Sequence, residues 1–228
     1  METLEHRPRW VIFDAADTLI FAKPDVASVY QRIASSYDVS ISAEVIKERF
    51  PVAFARQFTD GIAGEQLDRE RWQRVVFEVL DTTESAIFEE LWSYFEKPSS
   101  WHVFEDVEPT WRWLVERDYN VAIASNFDDR LSGIVAAKPP LNEAKHLFIS
   151  STFGYSKPNV EFFRSIEREL KIENRKDLLL VGDNQRADFE GALNAGWQAL
   201  HLDRHAENPD PPTIETLSAL KKMLNTQS

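Results

Sequence analysis

The chain has 228 residues, a net charge of −12 and a sequence pI of about 4.9. That length can hold one sizeable core, or a core with an insertion, and the acidity argues against a nucleic-acid groove or an anionic membrane surface as the main partner. No cysteine is present, which excludes disulfides, thiolate metal sites and thiol catalysis.

In chain order, "METLEHRPRW" lacks the apolar centre of a signal peptide. A first apolar run, Trp10 to Phe13, reads as a buried strand that stops at Asp14. About a hundred residues then pass before the next such run, far more than one crossover needs. Most of that gap is helical by pattern. Val26, Val29, Tyr30, Ile33 and Tyr37 mark one amphipathic face, Trp72, Val75, Val76 and Val79 a second, and Ile87, Phe88, Leu91, Trp92 and Phe95 a third, with Pro51 expected to interrupt the segment. The expectation is a helical cap over residues 23–98, inserted into a core made of residues 1–22 and 99–228, with hinges near Phe21 to Lys23 and Pro98 to Ser100.

The helix "EPTWRWLVERD" returns the chain to the core. Strands are expected at Val121 to Ala124, Leu147 to Ile149, Leu178 to Val181 and Ala199 to Leu202, separated by the helical patterns "DRLSGIVAA", "NVEFFRSIERELK" and "DFEGALNAG". Gly196 closes the last of these. A proline-rich loop, "NPDPP", and one amphipathic helix through Ile214, Leu217, Leu220 and Leu224 end the chain. Strand–helix–strand repetition predicts an α/β fold with a doubly wound parallel sheet, whose ligands sit beyond the carboxyl ends of its strands.

Polar residues collect at those ends. Asp14 can serve as a carboxylate nucleophile. Ser125 and the amides expected to open the next helix can hold phosphate oxygens. Lys157 stands before Pro158, expected at a first helical position, and would aim an ammonium at the nucleophile and the phosphate. Asp183 and Asp188 join Asp14 in a hard oxygen cluster suited to Mg²⁺. Taken singly, each has an ordinary structural explanation as a turn or cap residue. Their joint placement at successive strand ends is what points to chemistry.

That ordered set resembles the haloacid dehalogenase-like hydrolase superfamily over nearly the whole chain. Asp14 with Thr18-Leu19 matches its first motif, Ser125-Asn126 its second, Lys157-Pro158 its third, and Gly182-Asp183 with Asp188 its fourth. The resemblance implies a Rossmann-like core, a helical cap, Mg²⁺ dependence and a covalent aspartyl intermediate on Asp14. It implies metal ligation by Asp14, the backbone carbonyl of Ala16 and Asp183, with Asp188 as a direct or outer partner. Ser125, Asn126 and Lys157 would hold the phosphoryl group, with Thr18 helping to orient it.

Ala16 departs from the family's phosphatases, which carry there an aspartate that protonates the leaving group and activates water. General acid–base catalysis contributes ~10²–10⁴-fold, so slow or selective turnover is expected, with Asp17 turned away into the loop. The leading reading is a phosphatase of small phosphorylated metabolites. The alternatives are carbon–phosphorus cleavage of the phosphonoacetaldehyde hydrolase kind, using Lys47 or Lys23 for a Schiff base, a binding protein without turnover, and a haloacid dehalogenase. The acidic pair Asp183 and Asp188 argues against the dehalogenase. His201 and His205 are assigned a structural role, and most of the tryptophans are assigned to packing. No apolar run approaches the ~20 residues that span a bilayer. A cytoplasmic monomer or homodimer is expected, with no nucleic-acid or membrane partner.

Overall fold

The computed structural model describes residues 4, 6–207, 209 and 212–225. Most of the expected "NPDPP" loop lies outside the described residues, as do parts of the first five residues. The chain enters through β1 (Trp10–Phe13) and leaves the core along a short strand, β2 (Ile20–Ala22). Four helices follow: α1 (Val26–Ser35), α2 (Ala43–Gln57), α3 (Glu65–Leu80) and α4 (Ser85–Glu96). Side-chain caps start three of them, with Asp25 accepting from the Ser28 amide, Ser42 from the Val45 amide and Glu84 from the Ala86 amide. β3 (Trp101–Val103) then pairs antiparallel with β2, Ala22 opposite Trp101, so both ends of the helical segment are tied in one ribbon. The first expected hinge, Phe21 to Lys23, overlaps β2, and the second, Pro98 to Ser100, leads directly into β3, so a paired ribbon that the sequence pattern does not predict stands at these positions.

The remainder alternates strand and helix: α5 (Val107–Val115), β4 (Asn120–Ser125), α6 (Arg130–Ala136), β5 (Leu147–Ile149), α7 (Ser150–Phe153), α8 (Val160–Leu170), β6 (Leu178–Gly182), α9 (Gly191–Ala195), β7 (Gln198–Leu202), β8 (Thr213–Ile214) and α10 (Leu220–Asn225). The main sheet runs β5-β4-β1-β6-β7-β8 with every neighbouring pair parallel. This is the doubly wound, Rossmann-like order, with β1 at the point where the winding reverses. All five expected core strands are present, and β8 adds an edge strand.

Both faces of the sheet are covered, which is why its strands read as unbroken apolar runs. Val11 and Phe13 pack with Trp111, Leu114, Leu131 and Ile134 on one face, and Ile12 packs with Phe148, Phe162, Phe163 and Trp197 on the other. The inserted helices have an apolar centre of their own, built on Val29, Ile33, Ile46, Val75, Val79 and Phe88.

Three local expectations are corrected. Pro51 lies inside α2 rather than interrupting the segment. It leaves the Lys47 carbonyl without its helical partner, but both residues are exposed, so water can satisfy that carbonyl. Pro158 is not the first helical residue, because α8 begins at Val160 with Asn159 as its cap. The tail is not one helix. Ile214 belongs to β8, Leu217 to a 3₁₀ turn and Leu220 to α10, and all three are still buried.

Candidate active site

The carboxyl ends of β1, β4 and β6 meet where the winding reverses, and the polar residues singled out above converge there. Asp14 follows β1 directly, and its amide still donates to the Val181 carbonyl at 3.0 Å, so the sheet itself fixes the aspartate. Its Oδ1 accepts from Lys157 Nζ at 2.7 Å. The same ammonium donates to Asp188 Oδ1 at 2.5 Å and to the Ala124 carbonyl at 2.8 Å, which uses all three of its protons. Burial alone would lower the lysine's pKa, but the charges of Asp14 and Asp188 outweigh it and hold the group above its usual range.

Asn126 acts on the lysine from behind. Its side chain accepts from the Lys157 amide and donates to the Lys157 carbonyl, both at 2.8 Å. Thr18 is fully buried and turned to Asp183: its hydroxyl donates to Asp183 Oδ1 at 3.0 Å and accepts from the Asp183 amide at 3.1 Å. Thr18 therefore orients this aspartate, and it does not line the pocket where a phosphoryl group would sit. Ser125 does line the pocket, and its hydroxyl makes no hydrogen bond within the described residues. The amides expected to open a helix after Ser125 belong to a loop, since α6 starts only at Arg130.

Asp188 sits in a π-helical turn, Gln185–Glu190, that replaces the first part of the expected helix. Its Oδ2 accepts from the Asn184 amide at 3.0 Å. Asn184 caps the turn by accepting from the Arg186 and Ala187 amides. Gly182 makes this packing possible, because a Cβ there would lie 2.3 Å from the Asp188 carboxyl. Oxygens of Asp14, Asp183 and Asp188 all lie within 4.8 Å of one another. Burial first, and then the neighbouring carboxylates, push Asp183 above the usual carboxylate range; burial and the charge of Asp14 do the same to Asp188 against the pull of Lys157. Two of the three carboxylates, Asp14 and Asp188, thus share one ammonium, and Asp183 is left with Thr18 as its partner. The Ala16 carbonyl beside them accepts no hydrogen bond within the described residues. A hard divalent cation fits this donor set.

Two supporting residues carry no motif. His201 Nε2 lies 2.9 Å from the Asp183 carbonyl. A carbonyl can only accept, so that nitrogen carries the proton. Arg204 donates to the Thr18 carbonyl at 2.8 Å and grips Asp106 through both carboxylate oxygens. The position of His201 at a strand end hinted at its structural role; nothing local marks Arg204.

Asp17 departs from expectation. It does serve the turn, with φ of 57° and its amide donating to the Ile20 carbonyl, but its side chain borders the same pocket. Partial burial, then the charge of Asp14, raise its pKa. Lys47 and Lys23 are both exposed and outside the pocket, so neither is placed for a Schiff base.

The pocket above Asp14 has a volume of about 350 Å³. Its floor is the polar cluster, and its roof comes from the inserted helices: Tyr30 of α1, Phe50 and Phe54 of α2, Trp72 of α3, and Phe88, Trp92 and Phe95 of α4. Trp101 and Phe127 close the side. The roof is clasped to the core. The Ala63 amide donates to the Gly154 carbonyl at 3.0 Å, the Ser156 amide to the Gly61 carbonyl at 3.0 Å, the Asn159 side chain to the same Gly61 carbonyl at 3.3 Å, and the Asp129 amide to Glu65 at 3.2 Å. Buried Arg71 braces the clasp loop, donating to the Ile62 carbonyl and to both oxygens of Asp60.

The sequence model of the haloacid dehalogenase-like hydrolases matches residues 8–196. The chain is similar to the human haloacid dehalogenase-like hydrolase domain-containing protein 3, with 25% identity over 204 residues, 84% of this chain and 80% of the relative. It shares its fold with a phosphatase of this class from Thermococcus onnurineus, at a TM-score of 0.67 and 21% identity over 94% of this chain and 96% of the other. It shares it equally with an L-2-haloacid dehalogenase from Xanthobacter autotrophicus, at a TM-score of 0.70 and 17% identity over 97% and 100%. One architecture carries both chemistries, so the side chains must choose between them.

Proposed function

The chain belongs to the haloacid dehalogenase-like hydrolase family, and from that premise we propose that it hydrolyses small phosphate monoesters through an aspartyl-phosphate on Asp14, with Mg²⁺ as cofactor. The observation that carries this reading is the trio Asp14, Asp183 and Asp188 with oxygens within 4.8 Å of one another, two of them, Asp14 and Asp188, bridged by the ammonium of Lys157. Displacement at carbon needs one carboxylate, and a second and third acid beside it would only raise the cost of burying charge. Transfer of a phosphoryl group with a divalent cation gives all three a use.

In this reading an Asp14 oxygen attacks phosphorus, the P–O ester bond breaks, and its electron pair leaves with the departing oxygen. Water then attacks the phosphorus of the aspartyl-phosphate, releasing inorganic phosphate and restoring the Asp14 carboxylate. Lys157 holds the Asp14 carboxylate in place by its hydrogen bond and offsets negative charge that builds in transfer. Ser125 offers its free hydroxyl to a phosphoryl oxygen, and Asn126 keeps the lysine in register from its own backbone. Asp14, Asp183, the Ala16 carbonyl and, directly or through water, Asp188 would hold Mg²⁺, which neutralises phosphate charge when bound. Thr18 and His201 position Asp183. The helical insertion, residues 23–98, acts as the cap that excludes water and selects the substrate.

Ala16 gives the leaving group no proton and the water no base. The second step is therefore the slower one for a substrate that departs easily, and the phosphoenzyme accumulates. Incubation with acetyl phosphate and Mg²⁺, acid quench and intact-mass measurement tests this. A phosphoryl adduct on the wild type that is missing in Asp14→Asn supports the reading. With neither adduct nor phosphate release, it fails, and the binding-protein alternative takes its place.

A further inference from the structure

We propose that the pocket selects aryl phosphates: monoesters whose leaving group is a phenol and which carry no second anionic group. This rests on the phosphoryl transfer proposed above and assigns what lies on the far side of the bond that breaks.

The first observation is the roof. Phe50, Phe54 and Trp72 form one connected set of rings, with centroids 5.5 to 6.3 Å apart, and Trp92 stands 5.6 Å from Phe88 across the pocket lining. At these spacings the rings pack on one another, and the faces they leave to the pocket can receive a ring by stacking and edge contacts. The volume, about 350 Å³, falls at the low end of small-molecule pockets, roughly 300–1,000 Å³. A phosphoryl group plus one or two fused rings suits it.

The second observation is charge. The only cation in the upper pocket among the described residues is Arg130, and it is already paired. Its Nε and Nη2 each donate to Asp128 at 2.7 Å, its guanidinium carbon lies 3.5 Å from the centre of the Trp92 ring, and its remaining Nη1 reaches the Trp92 carbonyl at 3.4 Å. Asp17 adds a negative group at the rim. A bisphosphate or a phosphorylated acid would find no free counter-ion. Among the described residues, the roof's Tyr30 hydroxyl and the indole N–H groups of Trp72 and Trp92 have no hydrogen-bond partner. Tyr30 is 3% exposed and makes no hydrogen bond within the described residues, so it can meet a polar ring substituent.

The third observation is Ala16, which shares the pocket and has no acid to give. A phenol ionises near ~10, like the tyrosine side chain. An alkanol, like water, is a far weaker acid. Only the first departs well without a donated proton. The balance is simple: the P–O bond breaks, the phenolate leaves with the electron pair, water later attacks the aspartyl-phosphate, and the products are the phenol and inorganic phosphate.

The test compares phenyl phosphate, 1-naphthyl phosphate, glycerol 3-phosphate and acetyl phosphate with the Mg²⁺-loaded protein. The aryl esters should exceed glycerol 3-phosphate in kcat/KM by about 10²-fold or more, the scale of one lost acid. Ala16→Asp should narrow that gap. Because aryl esters are also intrinsically more reactive, binding is measured separately, following tryptophan fluorescence as benzylphosphonate or propylphosphonate is added. Benzylphosphonate should bind at least about tenfold tighter, and Phe54→Leu, which keeps the volume and loses the ring, should cut that preference about 2- to 10-fold. Equal binding of the two phosphonates by the wild type overturns the assignment, whatever the variant does. Acetyl phosphate separates the two readings. An adduct from it without any aryl preference sinks only the aryl assignment, and neither adduct nor phosphate release from any of the four sinks phosphoryl transfer as well.

Discussion

On the floor of the pocket nearly every polar atom is committed. Lys157 spends its protons on Asp14, Asp188 and Ala124, Asn126 grips the lysine backbone, and Thr18 both gives to and accepts from Asp183. On the roof, Phe50, Phe54, Trp72, Phe88 and Trp92 meet through ring faces and edges alone. Directional bonds hold groups to tenths of an ångström, as the making and breaking of bonds requires. Ring contacts define a volume and a preference for flat apolar matter, and they tolerate exchange. The two regions therefore answer to mutation differently: changes below should alter rate, metal affinity or charge balance, and changes above should alter which substrate is taken.

The harshest break on the floor is Asp14→Asn. Loss of a covalent nucleophile costs about 10⁶-fold in turnover where such losses have been separated, and the phosphoryl adduct should vanish from the mass spectrum. Residual adduct in the variant would place the nucleophile elsewhere. Thr18→Val keeps the volume but removes both bonds to Asp183; outer partners of a metal ligand are worth about 10–100-fold in affinity. Mg²⁺ titration followed by calorimetry should show that loss, and unchanged affinity would separate Asp183 from the metal. Gly182→Ala forces a methyl into the Asp188 carboxyl. Overpacking of this kind costs about 1–3 kcal/mol, readable as a lower urea midpoint together with weaker Mg²⁺ binding.

The smallest effect belongs to the clasp side of the roof. Asp68 is buried, one of its oxygens has no hydrogen bond and only an ion pair with Arg71 at 3.6 Å, and burial is the main cause that lifts its pKa from 3.8 to about 6, with the Gly64 amide and Arg71 pulling the other way. Its folded value lies above its unfolded one, so the native state holds more protons between them. Its contribution is then most favourable at acid pH and is lost as pH rises from about 4 through 6. Asp68→Asn should flatten that part of the stability–pH curve and leave the protein more stable at pH 7 relative to the wild type. Urea midpoints at pH 4.5, 6 and 7.5 would show it, and parallel curves would remove Asp68 as the source.

The same contrast explains what could be read from the chain. Strands β1, β4, β5, β6 and β7 are apolar on both faces and bounded by turns, so their pattern is hard to mistake. The floor residues fall at their ends, where topology alone brings Asp14, Ser125 and Asp183 together. Legibility stopped where a residue's job is set by a neighbour distant in sequence. Thr18 looked like a phosphate ligand until Asp183 claimed it, Asn126 until Lys157 did, and Arg204 reaches Asp106 and the Thr18 carbonyl with no local signal. Short edge elements were also silent: β2 with β3, and β8, are too brief for periodicity to register. The roof was visible only as amphipathic helices, because the period that marks a buried face does not say whether it faces a core or a cavity.

The clasp between residues 61–63 and 154–156 has an energetic meaning for how ligands arrive. Releasing the roof breaks the Ala63–Gly154, Ser156–Gly61, Asn159–Gly61 and Asp129–Glu65 hydrogen bonds. At roughly 0.5–1.5 kcal/mol net apiece, these four make the unlatched form a minor population, below about one molecule in twenty. A ligand that enters only through that form arrives at a rate scaled down by that population, while its dissociation constant, set by the free and bound end states, does not depend on the route. Loosening the clasp would therefore speed both entry and exit without altering a single contact inside the pocket.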